Sequence, residues 1–430
     1  MELADSSAAG LSPAAGLRLE DWLAEAGLAG LPAEHLVEGV AERLLAEGVP
    51  LRRIYVAIAT LHPLVRALSY TWIAGQGLVD NEAMPHRETP EVPQPWQESP
   101  FRHMLMNGVF DLRRQLTGPG AVFDFPVLRE FAEEGYTDWQ ALAFGFGWDL
   151  SNAAEEFRNP GMGMVSSFLT AHPDGFTPDR LARLKQVLPH LALAIKAGAL
   201  ARLARDVTAS YIGGDAASHV LSGEIRRGMA QKIDAVVLYA DLRGFTAVAD
   251  RLAIEPLVAM LNAYFDCLGP AIEMQGGQIL KFLGDGLLAS FQLADGQDPA
   301  PLCAAALTAA EQALAAVAVL NERRRAAGEP ALDLDIALHR GAVMYGNVGT
   351  SARLDFTLIG PAVNEAARLE NLCTALGRNL VASRSFALSA GGAARRLQSL
   401  GPHVLRGLAE PQEVFGLAGS ADVQERVGST

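Results

Sequence analysis

The chain has 430 residues, which is too long for one typical domain of about 100–200 residues, so we expect two or three domains. Its 35 Lys and Arg against 49 Asp and Glu give a formal net charge of −14, and so acidic a chain lacks the basic face of a nucleic-acid-binding protein. Half of the residues are hydrophobic, which excludes overall disorder, and the three cysteines (Cys267, Cys303 and Cys373) are too few for a disulfide framework or a thiolate metal site.

The N-terminal region is predicted to be helical after a loose tail over residues 1–16. The start is acidic and no apolar h-region follows, so we expect no secretory signal and a cytoplasmic protein. Apolar residues recur at helical spacing from Leu17 to Val79. The most apolar stretch, Ile54–Val79, is interrupted by His62, Pro63 and Arg66, so it is interpreted as a buried helix rather than a membrane span.

The middle of the N-terminal half is predicted to be irregular and then strand-rich. Five prolines between Asn81 and Pro100 indicate an extended crossing or an ordered loop. Strand-like segments follow from Phe101, and the last of them, Gly161–Thr170, is typical of a buried strand. Four aromatic residues could line an apolar pocket or fill a core, and three histidines lack metal-ligand spacing; these are Trp139, Phe144, Phe146 and Trp148, and His35, His62 and His103.

A long helix is predicted to begin near Thr177, which can cap it, with Pro178 in the first turn. Leucine and isoleucine recur in steps of three and four, at Leu181, Leu184, Leu188, Leu191 and Ile195. This seam is compatible with parallel self-association and equally with packing against the preceding domain. We expect a kink at Pro189 and a helix end at Gly213-Gly214-Asp215.

Two carboxylates in the C-terminal half stand where strands end. A strand-like run, Ala235–Ala240, delivers Asp241, and Gly284-Asp285-Gly286 is a hairpin turn signal between two further strand-like runs. A strand-end aspartate and a hairpin-tip aspartate can converge on hard divalent cations. Each could equally be a solvated surface carboxylate.

Four ordered blocks in Ile233–Leu417 resemble the catalytic domain of the class III adenylate and guanylate cyclase family. They are Ala240-Asp-Leu-Arg-Gly-Phe-Thr246, Lys281-Phe-Leu-Gly-Asp285, Ile336-Ala-Leu-His-Arg-Gly341 with Gly346-Asn-Val-Gly349, and Thr357-Leu-Ile-Gly-Pro-Ala-Val-Asn-Glu-Ala-Ala-Arg368. The resemblance implies an α/β (α+β) fold with ferredoxin-like βαββαβ connectivity and a largely antiparallel sheet.

The same resemblance implies the catalytic groups. Asp241 and Asp285 would hold two Mg²⁺ or Mn²⁺ ions, Asn364 would orient the ribose, and Arg368 would stabilise charge on the α-phosphoryl oxygens. The spacing of Asn364 and Arg368 puts both on one helix face. For Arg368 the alternative is a surface salt bridge with Glu365.

The resemblance assigns recognition of the nucleotide base to Lys281 and Thr357. Lys281 has only donors, which fit adenine N1 and oppose the N1–H of guanine, so ATP is the expected substrate. Thr357 stands where many family members have Asp and resembles the subclass of bicarbonate-responsive soluble adenylyl cyclases. A cyclase for guanine or pyrimidine nucleotides is the alternative, because a hydroxyl is permissive.

Three further positions are assigned to substrate binding by the resemblance. Arg406 takes the place of the usual phosphate-binding Lys, which keeps the charge but changes the reach, and Phe245 and Thr246 close the first block. In the family, each site lies between two catalytic domains. Because this chain carries every role once, a homodimer with two composite sites is expected.

The predicted domain organisation is a tail over 1–16, a regulatory domain over 17–176, a helical linker or dimerisation segment over 177–230, the cyclase domain over 231–418 and a tail over 419–430. The regulatory half resembles a GAF-type sensor domain, and we expect an unidentified small-molecule effector there, with bicarbonate as a candidate effector of the catalytic domain. We expect neither nucleic acid nor membrane as a partner. The alternative from another functional class is a ligand-sensing interaction protein with an inactive cyclase domain.

Overall fold

The computed structural model describes residues 17–60, 62, 65–85, 93–147, 162–407 and 410–419. They divide into two units between Val207 and Thr208. Both units are mixed α/β structures, as the sequence predicted.

The N-terminal unit is built on a six-stranded antiparallel sheet with the order β3-β2-β1-β6-β5-β4. Its helices and strands are α1 Leu19–Leu28, α2 Ala33–Ala46, β1 Arg53–Ala59, β2 Val65–Ile73, β3 Gly77–Pro85, α3 Gln94–Gln97, α4 Pro100–Met106, β4 Asp111–Gln115, α5 Pro126–Glu133, β5 Asp138–Gly145, β6 Gly163–Thr170 and α6 Pro178–Ile212. The GAF-like interpretation of this unit stays a prediction.

The helical interpretation of Ile54–Val79 is wrong, because this stretch forms β1, β2 and the start of β3. Ile54, Val56 and Ile58 are buried and alternate with less buried residues, which is the period of a strand with one face on a core. The proline-rich stretch is partly regular, since β3 extends to Pro85 and the short α3 follows at Gln94; residues 86–92 lie outside the described residues.

The leucine seam of α6 packs into the core of its own unit. Leu184 and Leu188 are fully buried and Leu191 is 1% exposed, and they share a hydrophobic cluster with α1, α2 and β1. The helix continues through Pro189 and ends at Ile212, before Gly213 at φ +86°. Of the two interpretations of the seam, packing within the N-terminal half is the one that the structure supports.

The three predicted aromatic residues that the structure describes do not line one pocket. Trp139 is buried in the cluster with α4 and α5, whereas Phe146 is buried in the cluster with α1, α2 and α6. Phe144 packs against the second of these clusters, and Trp148 lies outside the described residues. The alternation along β5 sends these side chains to opposite faces of the sheet.

The C-terminal unit has an eight-stranded sheet with the order β13-β14-β12-β10-β7-β9-β8, and β11 pairs with β10. Its elements are α7 Gly214–Leu221, β7 Ala230–Arg243, α8 Phe245–Ala249, α9 Ile254–Met274, β8 Gln278–Leu283, β9 Gly286–Leu293, α10 Pro299–Ala326, β10 Asp333–Gly349, β11 Leu354–Ile359, α11 Pro361–Leu376, β12 Leu380–Ser383, α12 Arg384–Ser389, a 3₁₀ helix Gly391–Arg396, β13 Leu397–His403 and β14 Gln412–Leu417.

The connectivity β7-α9-β8-β9-α10-β10 is the ferredoxin-like βαββαβ order that the resemblance implies. Its four strands lie in the order β10-β7-β9-β8 and all pair antiparallel. Helices α9 and α10 cover one face of the sheet around a large core, and α11 packs on the other. The predicted hairpin is present, with Leu283 opposite Gly286 and Asp285 in the two-residue turn.

Two helices among the described residues, α6 and α10, are long and apolar enough to cross a membrane by length and composition alone. Sequence inspection wrongly placed the most membrane-like stretch at Ile54–Val79. Both helices contribute residues to a buried core, for example Leu188 and Leu307.

The burial of the α6 seam generates a prediction about stability and assembly. Leu188→Ala should lower the free energy of unfolding of the N-terminal unit by about 2–5 kcal/mol, because it empties a closed core position. Leu193→Ala is the matched control, since Leu193 lies on the same helix and is 66% exposed. Urea unfolding measures the change in stability, and light scattering measures the oligomeric state, which should not change. Dissociation of an oligomer by Leu188→Ala with unchanged stability would contradict the assignment.

Candidate active site

Asp241 lies near the end of β7, between two strands that bring further carboxylates to it. On one side it is in register with Asp335 of β10. On the other side Ala240 pairs with Leu287, so the β8–β9 turn that carries Asp285 lies beside Asp241. A Cβ on Gly286 would lie 2.5 Å from the Ala240 carbonyl oxygen and 2.6 Å from Asp241 Oδ1. Only glycine therefore allows this approach of the hairpin.

Negative charge accumulates at this point of the sheet. Burial, then the charges of Asp285 and Asp335, raise the pKa of Asp241 to about 6. Burial, then the charges of Asp241 and Asp335, raise the pKa of Glu370, on α11, to about 7. We refer to Asp241, Asp285, Asp335 and Glu370 as the carboxylate cluster, because strand pairing brings the first three to the end of β7 and Glu370 interacts electrostatically with them. Sequence reasoning identified only the first two.

Asp335 is the one member of the cluster with a full set of polar partners. It is 1% exposed, and Arg243 donates to it through Nε at 2.9 Å and Nη2 at 2.5 Å. The Thr374 hydroxyl donates to its Oδ2 at 3.2 Å. Arg243 thereby forms an ion pair with Asp335, whereas Asp241 and Asp285 have no ion pair among the described residues.

The Asp241–Asp285 pair fits hard divalent cations. Its donors are carboxylate oxygens, and the excess negative charge around Asp241 is what a cation would relieve. Within the described ranges, no group of three or more His, Cys, Asp or Glu has the arrangement of a complete metal site. Two carboxylates suffice for Mg²⁺, which commonly keeps several waters and takes its remaining ligands from substrate phosphates.

Asn364 and Arg368 are on α11 and have no side-chain partner among the described residues. The salt bridge between Arg368 and Glu365 is not formed, because Glu365 faces His339 instead, at 3.5 Å from its Nδ1. Asn364 is exposed. An unpaired amide and an unpaired guanidinium one turn apart can both receive a polar, anionic ligand.

The two sides of α11 face different surroundings. Thr374 contacts Asp335, so its side of the helix faces the carboxylate cluster of the same chain. Arg368 precedes Glu370 by two residues, which is ~200° around the helix axis. Arg368 is thus directed away from the cluster that Glu370 joins.

Lys281 and Thr357 are brought together by strands β8 and β11. Lys281 Nζ donates to Asp355 Oδ2 at 2.8 Å, with both side chains about half exposed. Thr357 follows Asp355 by two residues in β11 and so lies on the same side of the strand. The hydrogen bond from Lys281 lowers the pKa of Asp355. Asp355 is therefore a residue of this site that sequence reasoning missed.

The remaining three predicted residues are placed as follows. Arg406 is exposed, and it precedes Gly407, at which a Cβ would lie 3.4 Å from Arg368 Nη2. The loop of Arg406 and the side chain of Arg368 are thus neighbours. Phe245 packs against the core of the unit, and Thr246 is exposed in α8.

Comparison with known proteins identifies the C-terminal unit. Residues 229–417 match the family model described as "Adenylate and Guanylate cyclase catalytic domain". The adenylate cyclase of Anabaena cylindrica is 36% identical over 165 residues, which cover 37% of this chain and 32% of that protein. Adenylate cyclase 1 of Rhizobium meliloti (strain 1021) is 30% identical over 164 residues, 38% of this chain and 24% of that protein.

A solved structure, the adenylyl cyclase CyaB from P. aeruginosa, is 26% identical, with a TM-score of 0.40, and the match covers 45% of this chain and 97% of that one. The match of residues 229–417 to the adenylate and guanylate cyclase catalytic-domain model confirms the resemblance seen in the motifs. The chain spans only 24–32% of the length of the two curated relatives.

The raised pKa of Asp241 predicts a pH-dependent response to metal. Asp241 binds its proton more tightly in the folded state, so without metal the stability contributed by this group falls as pH rises from about 4 to about 6. Mn²⁺ should raise the melting temperature at about pH 8, where the carboxylate is ionised, and raise it far less at about pH 5. Differential scanning fluorimetry measures both.

Two variants accompany this measurement. Asp285→Asn should remove most of the Mn²⁺-dependent shift, whereas Asp355→Asn, an acid outside the cluster, should keep it. Equal shifts at both pH values, or a full shift in Asp285→Asn, would contradict a cation site at this pair.

Proposed function

We propose that the protein is an adenylate cyclase that converts ATP to 3′,5′-cyclic AMP and pyrophosphate in a homodimer. The observation that carries the proposal is the unpaired Asn364–Arg368 face of α11 in a domain that also presents the Asp241–Asp285 pair. A nucleotide site requires that all of its catalytic side chains are present and free to bind substrate. The presence of these groups weighs against an inactive domain that serves only for interaction.

The reaction joins the ribose 3′-oxygen to the α-phosphorus and breaks the bond to the β-phosphate, so that pyrophosphate leaves. Asn364 would hold the ribose in line with the phosphorus, and Arg368 would stabilise the charge that develops on the α-phosphoryl oxygens. Asp241 and Asp285 would hold two Mg²⁺ or Mn²⁺ ions, which, when bound, lower the pKa of the 3′-hydroxyl and neutralise the triphosphate. Arg406 is the proposed contact of the β- and γ-phosphates, and Phe245 and Thr246 are further proposed substrate-binding positions.

The orientation of α11 supports a site shared between two chains. Its Thr374 side engages the chain's own carboxylate cluster, while Arg368 is directed elsewhere and stays unpaired among the described residues. A second copy related by two-fold symmetry would present its Asp241–Asp285 pair to this face, and the arrangement would repeat at the other site.

The contact between Lys281 and Asp355 supports adenine as the base. Asp355 occupies one of the three ammonium donors of Lys281 and directs the others, one of which would donate to adenine N1. Thr357 or the second Asp355 oxygen would accept from the adenine N6–H. Guanine would oppose the Lys281 donors with its N1–H, which favours ATP over GTP.

The N-terminal unit is proposed to regulate the catalytic unit in response to a small molecule. Support comes from α6, a helix of 35 residues that begins in the N-terminal unit and is separated from α7 only by Gly213. The bicarbonate response is a proposal that rests on Thr357 alone.

Purified protein with ATP and Mn²⁺ should produce cyclic AMP, and Asp285→Ala and Arg368→Ala should each lower the rate by about 10²–10³-fold or more. An Asp285→Ala chain and an Arg368→Ala chain, co-expressed with different tags and purified over both tags, should form mixed dimers with about half of the wild-type rate. Each mixed dimer then holds one intact composite site. Cyclic AMP is measured by chromatography.

The matched control pairs a wild-type chain with an Asp285→Ala/Arg368→Ala chain. If the sites are shared, this dimer has no intact site and is inactive. If each site lies within one chain, this dimer keeps about half of the activity and the dimer of the two single variants is inactive. Absence of turnover with any nucleotide would instead favour an interaction protein with an inactive cyclase domain.

Base selection is tested at Lys281. Lys281→Gln introduces an acceptor beside the base, so the ATP-over-GTP ratio of kcat/KM should fall by about 10- to 100-fold. Lys232→Gln, at an exposed lysine of β7, is the matched control. Asp355→Asn should raise KM for ATP with a smaller change in kcat, because it releases Lys281. An unchanged ratio in Lys281→Gln would contradict the assignment.

A further inference from the structure

A cavity of about 370 Å³ lies within the N-terminal unit, between α2, the sheet and α6. Its walls include Leu36, Ile58 and Ile195, all at most 2% exposed. The volume is in the range of small-molecule sites. The cavity is on the side of β1 that carries Ile58, which is the side of the sheet covered by α1, α2 and α6.

One polar side chain in the wall of this cavity has no hydrogen-bond partner among the described residues. Tyr70 lines the cavity and is 2% exposed, and its hydroxyl has no hydrogen bond among the described residues. The Tyr70 hydroxyl is therefore available to a ligand.

The same cavity has unpaired positive charge at one end. Arg202 and Arg205 of α6 line it, and neither has an ion pair or hydrogen bond among the described residues. Arg202 is near enough to Tyr70 for its charge to act on the phenol. Of the acids nearby, Asp206 lines the cavity but already has a partner, and Glu34 acts on Tyr70 from the first turn of α2 without lining it.

We propose that this cavity binds a small organic carboxylic acid. The apolar body would pack against Leu36, Ile58 and Ile195, and the carboxylate would accept hydrogen bonds from the Tyr70 hydroxyl and the Arg202 guanidinium, with Arg205 adding positive charge. A carboxylate matches the planar fork of arginine and a phenol donor together. An alcohol would lack the charge that the two arginines favour, and an amine would be repelled by them.

Calorimetric titration of the full chain with decanoate tests the proposal. Decanoate should bind once per chain, and decanol and decylamine, of the same length, should bind at least about tenfold more weakly. Arg202→Gln should weaken decanoate binding by about tenfold or more with no effect on the weaker binding of decanol, and Tyr70→Phe should weaken decanoate binding by about fivefold. Arg180→Gln, the same change on α6 outside the cavity, should leave the affinity unchanged.

A second variant fills the space instead of removing a polar group. Ala199→Phe should abolish binding of all three compounds, because Ala199 lines the cavity. Equal binding of decanoate and decylamine, or an unchanged affinity in both Arg202→Gln and Tyr70→Phe, overturns the proposal, as does the absence of decanoate binding to folded protein. Binding is read by heat and not by turnover, so its failure is distinct from a failure of cyclase activity.

Discussion

Repulsion between carboxylates at the end of β7 is the constraint on which the catalytic unit depends. Asp241, Asp285 and Glu370 are gathered in a half-buried place, where burial and then the charges of neighbouring acids raise the pKa of Asp241 and of Glu370. Two features make the arrangement possible. Gly286 has no Cβ, so the hairpin can reach Asp241, and Arg243 neutralises Asp335 with two hydrogen bonds. A folded site with unrelieved negative charge is preorganised for cations and is less stable without them.

Helix α11 links this cluster to the rest of the proposed site because its sides differ. The hydrogen bond from Thr374 ties the helix to Asp335 of its own chain, which fixes its rotation about its axis. That rotation determines where Asn364 and Arg368 are directed, since positions in one rigid helix cannot turn independently. The carboxylate cluster therefore also positions the polar groups that we propose serve the neighbouring copy.

Sequence patterns predicted the parts of the site that depend on local structure. The strand ending at Asp241, the hairpin at Asp285 and the i, i+4 pair on α11 each follow from a few adjacent residues. Asp335, Glu370 and Asp355 were missed because their places depend on the pairing of β10 with β7 and on the approach of β11 to β8, which periodicity does not determine. The error at Ile54–Val79 has a similar cause, because a short apolar run without its sheet partners fits a helix and a strand equally well.

The seam of α6 shows the same limit at the level of assembly. A heptad-like pattern predicts that one side of a helix is buried, but it does not indicate whether the surface that covers it belongs to the same chain or to a second copy. Here Leu184, Leu188 and Leu191 are covered from within their own unit, so these residues are unavailable to a second copy. Apolar residues that remain exposed in the catalytic unit include Phe282 and Val348, at 53% and 40%. Phe282 lies in β8 between Lys281 and Asp285, two residues of the proposed site, so contacts in this region would link that site to the proposed dimer interface.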